Sequence, residues 1–276
     1  MIPDLASYDQ IVVNISGGKD SQAALHRTVL AASAAGVGDR VMTVFADLGH
    51  DDEWPGTAEL AAEHAAFYSL RHEVVRREVT GPDGRRVPQS LTEHIAERGR
   101  WPDAARRYCT SDMKRAPVHR LFTRIAAEHR SARPGRKVRI LSVLGMRAQE
   151  SRARALLPPF GHDARASNQT VRHVDLWLPV HELTTGQVWE VIGQAGTRPH
   201  WVYAYLPRLS CRFCVLAGKS ALVRAALLDP AGAAARADLE QRMGHRFRSD
   251  LSMADIIAAA RGLTLDTAPP ATTWAA

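Results

Sequence analysis

Apolar and polar positions alternate between two regimes along the first two thirds of the chain. Short β-branched runs at 10–15, 41–46, 72–78, 138–144 and 173–178 have the length and content of strands. Between them lie stretches with helical spacing, near 20–35, 57–69, 90–98 and 112–130. Strands that alternate with helices predict a parallel sheet covered on both faces. The expectation is therefore an α/β fold with a five-stranded, doubly wound parallel sheet. After about residue 180 the alternation stops. Helical patterns follow from Thr184 to Gln194 and at 218–228, 232–243 and 252–261. This divides the chain into an α/β unit, 1–183, a helical C-terminal extension, 184–264, and a tail, 265–276. Two prolines and three threonines mark that tail as disordered.

The chain has 276 residues, enough to bury a full core, and 45% of them are hydrophobic. No apolar run approaches the ~20 residues of a membrane span. The first ten residues lack a basic region followed by an apolar stretch, so the expected location is the cytoplasm. Net charge is +7, and only Lys19, Lys114, Lys137 and Lys219 among the 36 basic residues are lysines. An Arg- and Ala-rich codon bias accounts for this as well as an anionic partner does. No aromatic interleaves with the basic run 130–139, which argues against a single-strand stacking platform.

The strongest chemical signal is Ser16-Gly17-Gly18-Lys19-Asp20-Ser21, directly after the first strand and before an alanine-rich helix. Such a corner points backbone N–H groups and the positive helix end at one place, a ready phosphate site. Gly17 and Gly18 let the backbone approach an anion. Ser16 and Ser21 offer hydroxyls, and Lys19 offers a charge. Asp20 is unusual in an anion cradle and is read as a helix cap or a ligand for a bridging metal ion. The spacing is neither a Walker A loop nor G-x-G-x-x-G. Ligands of parallel sheets bind at the carboxyl ends of the strands, so Asp47, ending the second strand, is a candidate for a ribose or a metal.

Three further stretches carry candidate chemistry. In Arg107-Tyr108-Cys109-Thr110-Ser111-Asp112-Met113-Lys114, a helix capped by Ser111 or Asp112 would put Lys114 in its first turn. A cation there opposes the helix dipole unless an anion binds. Cys109, just before that helix, is expected to have a lowered thiol pKa. In Gly145-Met146-Arg147-Ala148-Gln149-Glu150-Ser151-Arg152, a glycine turn again closes an apolar strand. Arg147 and Arg152 could fork onto phosphate or sulfate oxygens. Cys211 and Cys214 form a C-x-x-C pair, open to a metal, a cluster or dithiol chemistry. If Cys109 joins them, three thiolates leave one coordination position free. His173-Val174-Asp175-Leu176-Trp177 and Trp201-Val202-Tyr203-Ala204-Tyr205 read as packing.

Together these stretches resemble the phosphoadenosine phosphosulfate (PAPS) reductase family of the PP-loop ATP pyrophosphatase superfamily. Ser16–Ser21 is similar to its pyrophosphate loop. Ala46-Asp47-Leu48-Gly49-His50 with Trp54-Pro55-Gly56-Thr57 is similar to its D-T-G-x-x-F-P-E-T segment, with departures at Leu48 and Gly56. Arg107-Tyr108-Cys109-Thr110 with Lys114 and Pro117 resembles R-x-C-[CT]-x-x-x-K-x-x-P. Gly145-Met146-Arg147 with Glu150-Ser151 and Arg154 resembles G-x-R-x-x-E-S, and Cys211 with Cys214 the later C-x-x-C. The resemblance implies an adenine nucleotide ligand at Ser16–Ser21, Asp47, Gly145, Arg147 and Arg152. Lys19, Lys114, Arg147 and Cys109 are the implied catalytic residues.

Family members either reduce adenylyl sulfates or cleave ATP to AMP and pyrophosphate while adenylating an acceptor before sulfur transfer, as in DNA phosphorothioation and tRNA thiolation. A single cysteine at 109 and none after 214 weigh against a sulfate-assimilating reductase. The expectation is ATP cleavage with Mg2+, a sulfur-donor protein or nucleic acid as partner, and Cys109, Cys211 and Cys214 holding a [4Fe-4S] cluster in preference to zinc. A reductase and a non-catalytic nucleotide-binding subunit are the alternatives.

Overall fold

The computed structural model describes residues 2–132 and 134–265; of the tail expected to be disordered, all but Leu265 lies outside them. In chain order the elements are β1 (Gln10–Ile15), α1 (Lys19–Ala34), β2 (Val41–Asp47), α2 (Thr57–Phe67), β3 (Arg71–Arg76), β4 (Glu78–Thr80), β5 (Arg86–Pro88) and α3 (Leu91–Arg98). Then come α4 (Tyr108–Thr110), a widened helical turn over Ser111–Arg115, α5 (Ala116–Ala132), β6 (Val138–Leu144), α6 (Arg152–Ala155), β7 (Phe160–His162) and β8 (Arg172–Trp177). Four helices follow: α7 (Thr185–Ala195), α8 (Lys219–Leu228), α9 (Pro230–Met243) and α10 (Met253–Ala260).

The sheet order is β3-β2-β1-β6-β8-β7. β1 pairs in parallel with β2 and β6, and β6 with β8. The sheet therefore has six strands among the described residues, where five were expected. The addition is β7, three residues long and antiparallel to β8. A run of three, Phe160-Gly161-His162, is too short to show a period of two. Only its partner makes it a strand. A second small sheet pairs β4 with β5 around the Pro82-Asp83-Gly84 turn.

The chain forms two compact units. Of the described residues, those within 1–46, 56–75 and 117–200 form the first, and those within 47–55, 76–116 and 201–276 the second. In the first unit the inner strands are buried on both faces, as continuous runs such as Ile11-Val12-Val13 require. One face packs Ile11, Val13, Phe45 and Val143 against Leu25 of α1 and Val188 and Ile192 of α7. The other packs Val12, Val44 and Ile140 against Leu121, Phe122 and Ile125 of α5. The second unit has its own core, in which Trp101, Met113, Phe213, Leu222, Phe247 and Ile256 are buried.

Candidate active site

In the first unit β1 ends at Ile15 and the chain turns through Ser16-Gly17-Gly18 into α1. Gly17 has φ of 68°, a conformation that disfavours any side chain. Ser21 folds back over the turn: its hydroxyl donates to the Gly18 carbonyl at 2.8 Å and accepts from the Ser16 N–H at 3.1 Å. The Ser16 and Ser21 hydroxyls lie 3.2 Å apart. Gly18 stands at the N-cap of α1, where its missing side chain makes no cap. The positive end of the helix therefore keeps its donors for an external anion.

The acid in this loop is used internally. Asp20 Oδ2 accepts from Lys19 Nζ at 2.8 Å, and Oδ1 from Arg147 Nε at 2.6 Å. Arg147 is almost fully buried and also donates to Gln149 Oε1 at 2.7 Å and to the Leu183 carbonyl at 3.3 Å. Asp20 thus holds two cations beside the loop instead of capping α1. Gly145 makes the arrangement possible: a Cβ there would lie 2.5 Å from the backbone C and O of Asp20 and from the N of Ser21. Glu150 accepts from the Arg147 N–H at 3.0 Å and pairs with Arg154. Arg152 is exposed on α6. Of the predicted residues, the structure therefore brings Ser16–Ser21, Gly145 and Arg147 together.

In the second unit Asp47 is buried at the end of β2. Its Oδ1 accepts from the Gly49 N–H at 2.7 Å and its Oδ2 from Arg76 Nε at 2.7 Å. The segment after it is fixed by two arginines from the C-terminal region. Arg212 donates to the Glu53 carbonyl at 2.6 Å, the His50 carbonyl at 2.7 Å and Asp229 at 2.8 Å. Arg236 pairs with the buried Asp52 at 2.6 Å, and Asp52 also accepts from the Thr92 N–H at 2.9 Å.

Cys109, Cys211 and Cys214 line one cavity of about 30 Å3, with Phe213, Ile95 and Trp101 among its walls. Here the structure corrects one expectation. The helix begins at Tyr108, so Cys109 lies inside its first turn, and Asp112 is turned away to His94 Nε2 at 3.1 Å and Arg98 at 3.0 Å. Burial outweighs the Thr110 hydroxyl and the charges of Lys114 and Arg107 and pushes the Cys109 thiol up, not down. The C-x-x-C pair shares a proton: the hydrogen bond from Cys211 holds the Cys214 thiol down to about 6 and pushes that of Cys211 up. The Leu216 N–H and the Lys114 ammonium help Cys214 ionise. Lys114 acts in the same sense on the other two thiols and on Glu53. Burial pushes the Glu53 carboxyl up to about 7.

Sequence reasoning missed Glu53 and the Asp52–Arg236 pair. Glu53 carried a weak signal, since it directly precedes Trp54-Pro55. Arg236 carried none, lying in an alanine-rich helix. The same unit has a larger open cavity, about 740 Å3, lined by Arg98, Arg100, Arg106, Arg107 and Arg115.

A glycine-bearing turn joins β1 to α1 at the carboxyl edge of a mostly parallel α/β sheet, the geometry of a phosphate-binding corner. The phosphoadenosine phosphosulfate reductase domain model matches residues 10–209, and the chain belongs to that family. No curated protein matches the chain in sequence. Among solved structures it is similar to the phosphoadenylyl-sulfate (PAPS) reductase of Candida auris in its phosphate complex. The identity is 16%, covering 71% of this chain and 77% of that one, with a TM-score of 0.43. It is also similar to the U34-tRNA thiolase NcsA of Methanococcus maripaludis with its [4Fe-4S] cluster, at 10% identity, 94% and 73% coverage and a TM-score of 0.44. A third match is the FMN adenylyltransferase of Candida glabrata with FMN and the ATP analogue AMPCPP, at 16% identity and a TM-score of 0.46. That match covers 74% of this chain but 55% of the adenylyltransferase, so the chain spans about half of its length.

Proposed function

We propose that this enzyme cleaves Mg2+–ATP between its α- and β-phosphorus atoms, releasing pyrophosphate and adenylating an acceptor oxygen, which then leaves with AMP when sulfur takes its place. The observation that carries the reading is the Ser16–Ser21 turn braced by Gly145, Asp20 and Arg147. Backbone N–H groups at the start of α1 and the two serine hydroxyls would hold the β- and γ-phosphates. Lys19 and Arg147, already oriented by Asp20, would stabilise charge building on the departing pyrophosphate. Arg152 would add a further cation. Asp20 and Asp47 spend their carboxylates on Lys19, Arg147 and Arg76, so Mg2+ is read as arriving with the nucleotide phosphates.

The three thiols fit a soft-metal group in donor chemistry. Among the described residues they do not form a set of donor atoms all within 4.8 Å of one another, as one zinc ion would need. An iron–sulfur cluster does not need the three to meet at one centre, because each thiolate binds a separate iron. Such a cluster, bound by Cys109, Cys211 and Cys214, would offer one iron free for sulfide. Lys114 favours the thiolate forms that either ligation or sulfur relay requires. The arginine-lined cavity fits a polyanionic acceptor such as nucleic acid.

One observation favours a second reading. The ionised Cys214 is a nucleophile at neutral pH, which suits reduction of an adenylyl sulfate. Incubation with ATP, adenylyl sulfate or its 3′-phosphate, with product identification, separates the two. AMP and pyrophosphate from ATP, with a roughly 100- to 1000-fold loss in Lys19→Ala, is the expected result. Sulfite release without pyrophosphate would select the reductase. Binding of ATP without turnover in the presence of nucleic acid and sulfide, together with no sulfite from either adenylyl sulfate, would overturn both.

A further inference from the structure

The edge of the sheet in the first unit carries a cluster that nucleotide chemistry does not use. His162 ends β7, and Asp175 lies directly opposite it on β8. His173, two residues before Asp175, shares its face, because strand side chains alternate. The three side chains therefore project together. His173 Nε2 lies 2.9 Å from Asp175 Oδ1, and His162 Nδ1 lies 3.5 Å from the same oxygen. The imidazoles stack with their centroids 4.4 Å apart. Among the described residues this is the one group of three metal-type donors whose ligand atoms all lie within 4.8 Å of one another.

We propose that His162, His173 and Asp175 form a binding site for a divalent transition ion of the zinc class. Two donors at the roughly 2.0–2.1 Å of zinc–nitrogen and zinc–oxygen bonds stand about 3.3 Å apart around a tetrahedral ion. The spacings to Oδ1 bracket that value. The carboxylate is also prepared from behind. Its other oxygen, Oδ2, accepts the Tyr8 hydroxyl at 2.7 Å, so Oδ1 is left to face the imidazoles. Tyr8 is buried, which holds its hydroxyl in place behind the carboxylate. A carboxylate oriented by an outer hydrogen bond is the arrangement that metal ligands generally show.

Solvent reaches the cluster from the other side, since the His162 side chain is 46% exposed and that of His173 38%. An ion can therefore enter, and two imidazoles with one carboxylate leave it an open position. One group opposes a cation: the Arg139 guanidinium, 3.8 Å from Asp175 Oδ2. It lies on the oxygen that does not face the imidazoles, and its exposure lets solvent screen it. The bound ion would clamp the three-residue edge strand β7 to β8. This inference does not depend on the proposed ATP chemistry.

Cobalt titration of the full-length, metal-free protein tests it. Thiolate ligation gives an intense near-ultraviolet charge-transfer band, whereas imidazole and carboxylate ligation gives weak visible bands alone, so the thiol cavity and this cluster read separately. The expected result is one equivalent of Co2+ without a thiolate band, displaced by Zn2+. His162→Gln and His173→Gln should each weaken it by more than the roughly 10- to 100-fold that outer partners control. Tyr8→Phe should weaken it about 10-fold, and Arg139→Gln should tighten it. Zn2+ should raise the melting temperature of the parent protein but not of His162→Gln, whose metal-free melting curve checks folding. Cobalt uptake solely with a thiolate band, or an unchanged equivalent in both histidine variants, would overturn the proposal.

Discussion

The two candidate regions handle charge in opposite ways. At the phosphate-loop corner, Lys19, Asp20 and Arg147 are linked by ion pairs at 2.8 and 2.6 Å, so the charges are held ready by one another. In the thiol cavity burial pushes Cys109 toward its neutral form, as it does the Glu53 carboxyl whose charge acts on Cys211, and Lys114 pulls the other way. A site built from paired charges presents a fixed field to an anion. A site of half-suppressed charges is better suited to a ligand that brings its own positive charge, as a metal centre does. The difference also lies in assembly. The corner's core is six consecutive residues, whereas 102 positions separate Cys109 from Cys211.

The strongest challenge to this contrast strikes the support of the second region. Arg236→Met leaves Asp52 buried without its partner and should cost about 3–5 kcal/mol, read from the urea midpoint. A loss below 1 kcal/mol would mean that the segment around Glu53 is not held by this pair. Next comes the corner. Gly145→Ala drives a methyl into the backbone of Asp20 and Ser21 and should cost about 1–3 kcal/mol, with nucleotide binding lost as well. Gly193→Ala, whose Cβ meets nothing within 4 Å, is the control and should leave binding unchanged. A smaller effect is expected at α3. Ser90 accepts from the Glu93 N–H in a capping box, so Ser90→Ala should cost about 1 kcal/mol without altering nucleotide affinity.

The pH dependence should separate the regions most finely. In the first unit, burial lowers the His64 pKa below its ordinary 6.5, with the same cause at His26 and His72. The unfolded chain then binds more protons below pH 6.5, so these groups contribute stability above that value and lose it as pH falls. Glu53 has the reverse sign. Raised from 4.5 to about 7, it contributes below pH 4.5 and loses that contribution as pH rises toward 7. In urea titrations from pH 4.5 to 7.5, His64→Gln should flatten the rise and Glu53→Gln the fall. Matching slopes in both variants would remove the distinction.

Much of this was legible before any coordinates. All five predicted strands match β1, β2, β3, β6 and β8 within a residue or two at each end, and the inner ones do so because burial on both faces demands continuous apolar sequence. The Ser16–Ser21 turn was legible because its chemistry is local: glycine conformations, adjacent hydroxyls and a helix start are set by neighbours in sequence. The ion pairs of Asp20 were not legible, for the opposite reason. Its partner Arg147 comes from another strand end, and no local rule supplies it. Cys109 failed similarly: its place in the chain suggested an activated thiol, and burial reversed the sign.

By itself, then, the sequence determined the α/β alternation, the phosphate-binding corner and the inventory of soft donors, since each follows from short-range pattern. Tertiary structure alone decided the sixth strand, the thiols' common cavity, the arginines that fix Asp52 and Glu53, and the meeting of His162 with His173 and Asp175. Those depend on which distant segments come to share a strand register or a core. Desolvation and charge pairing act through space, and distance along the chain does not encode them.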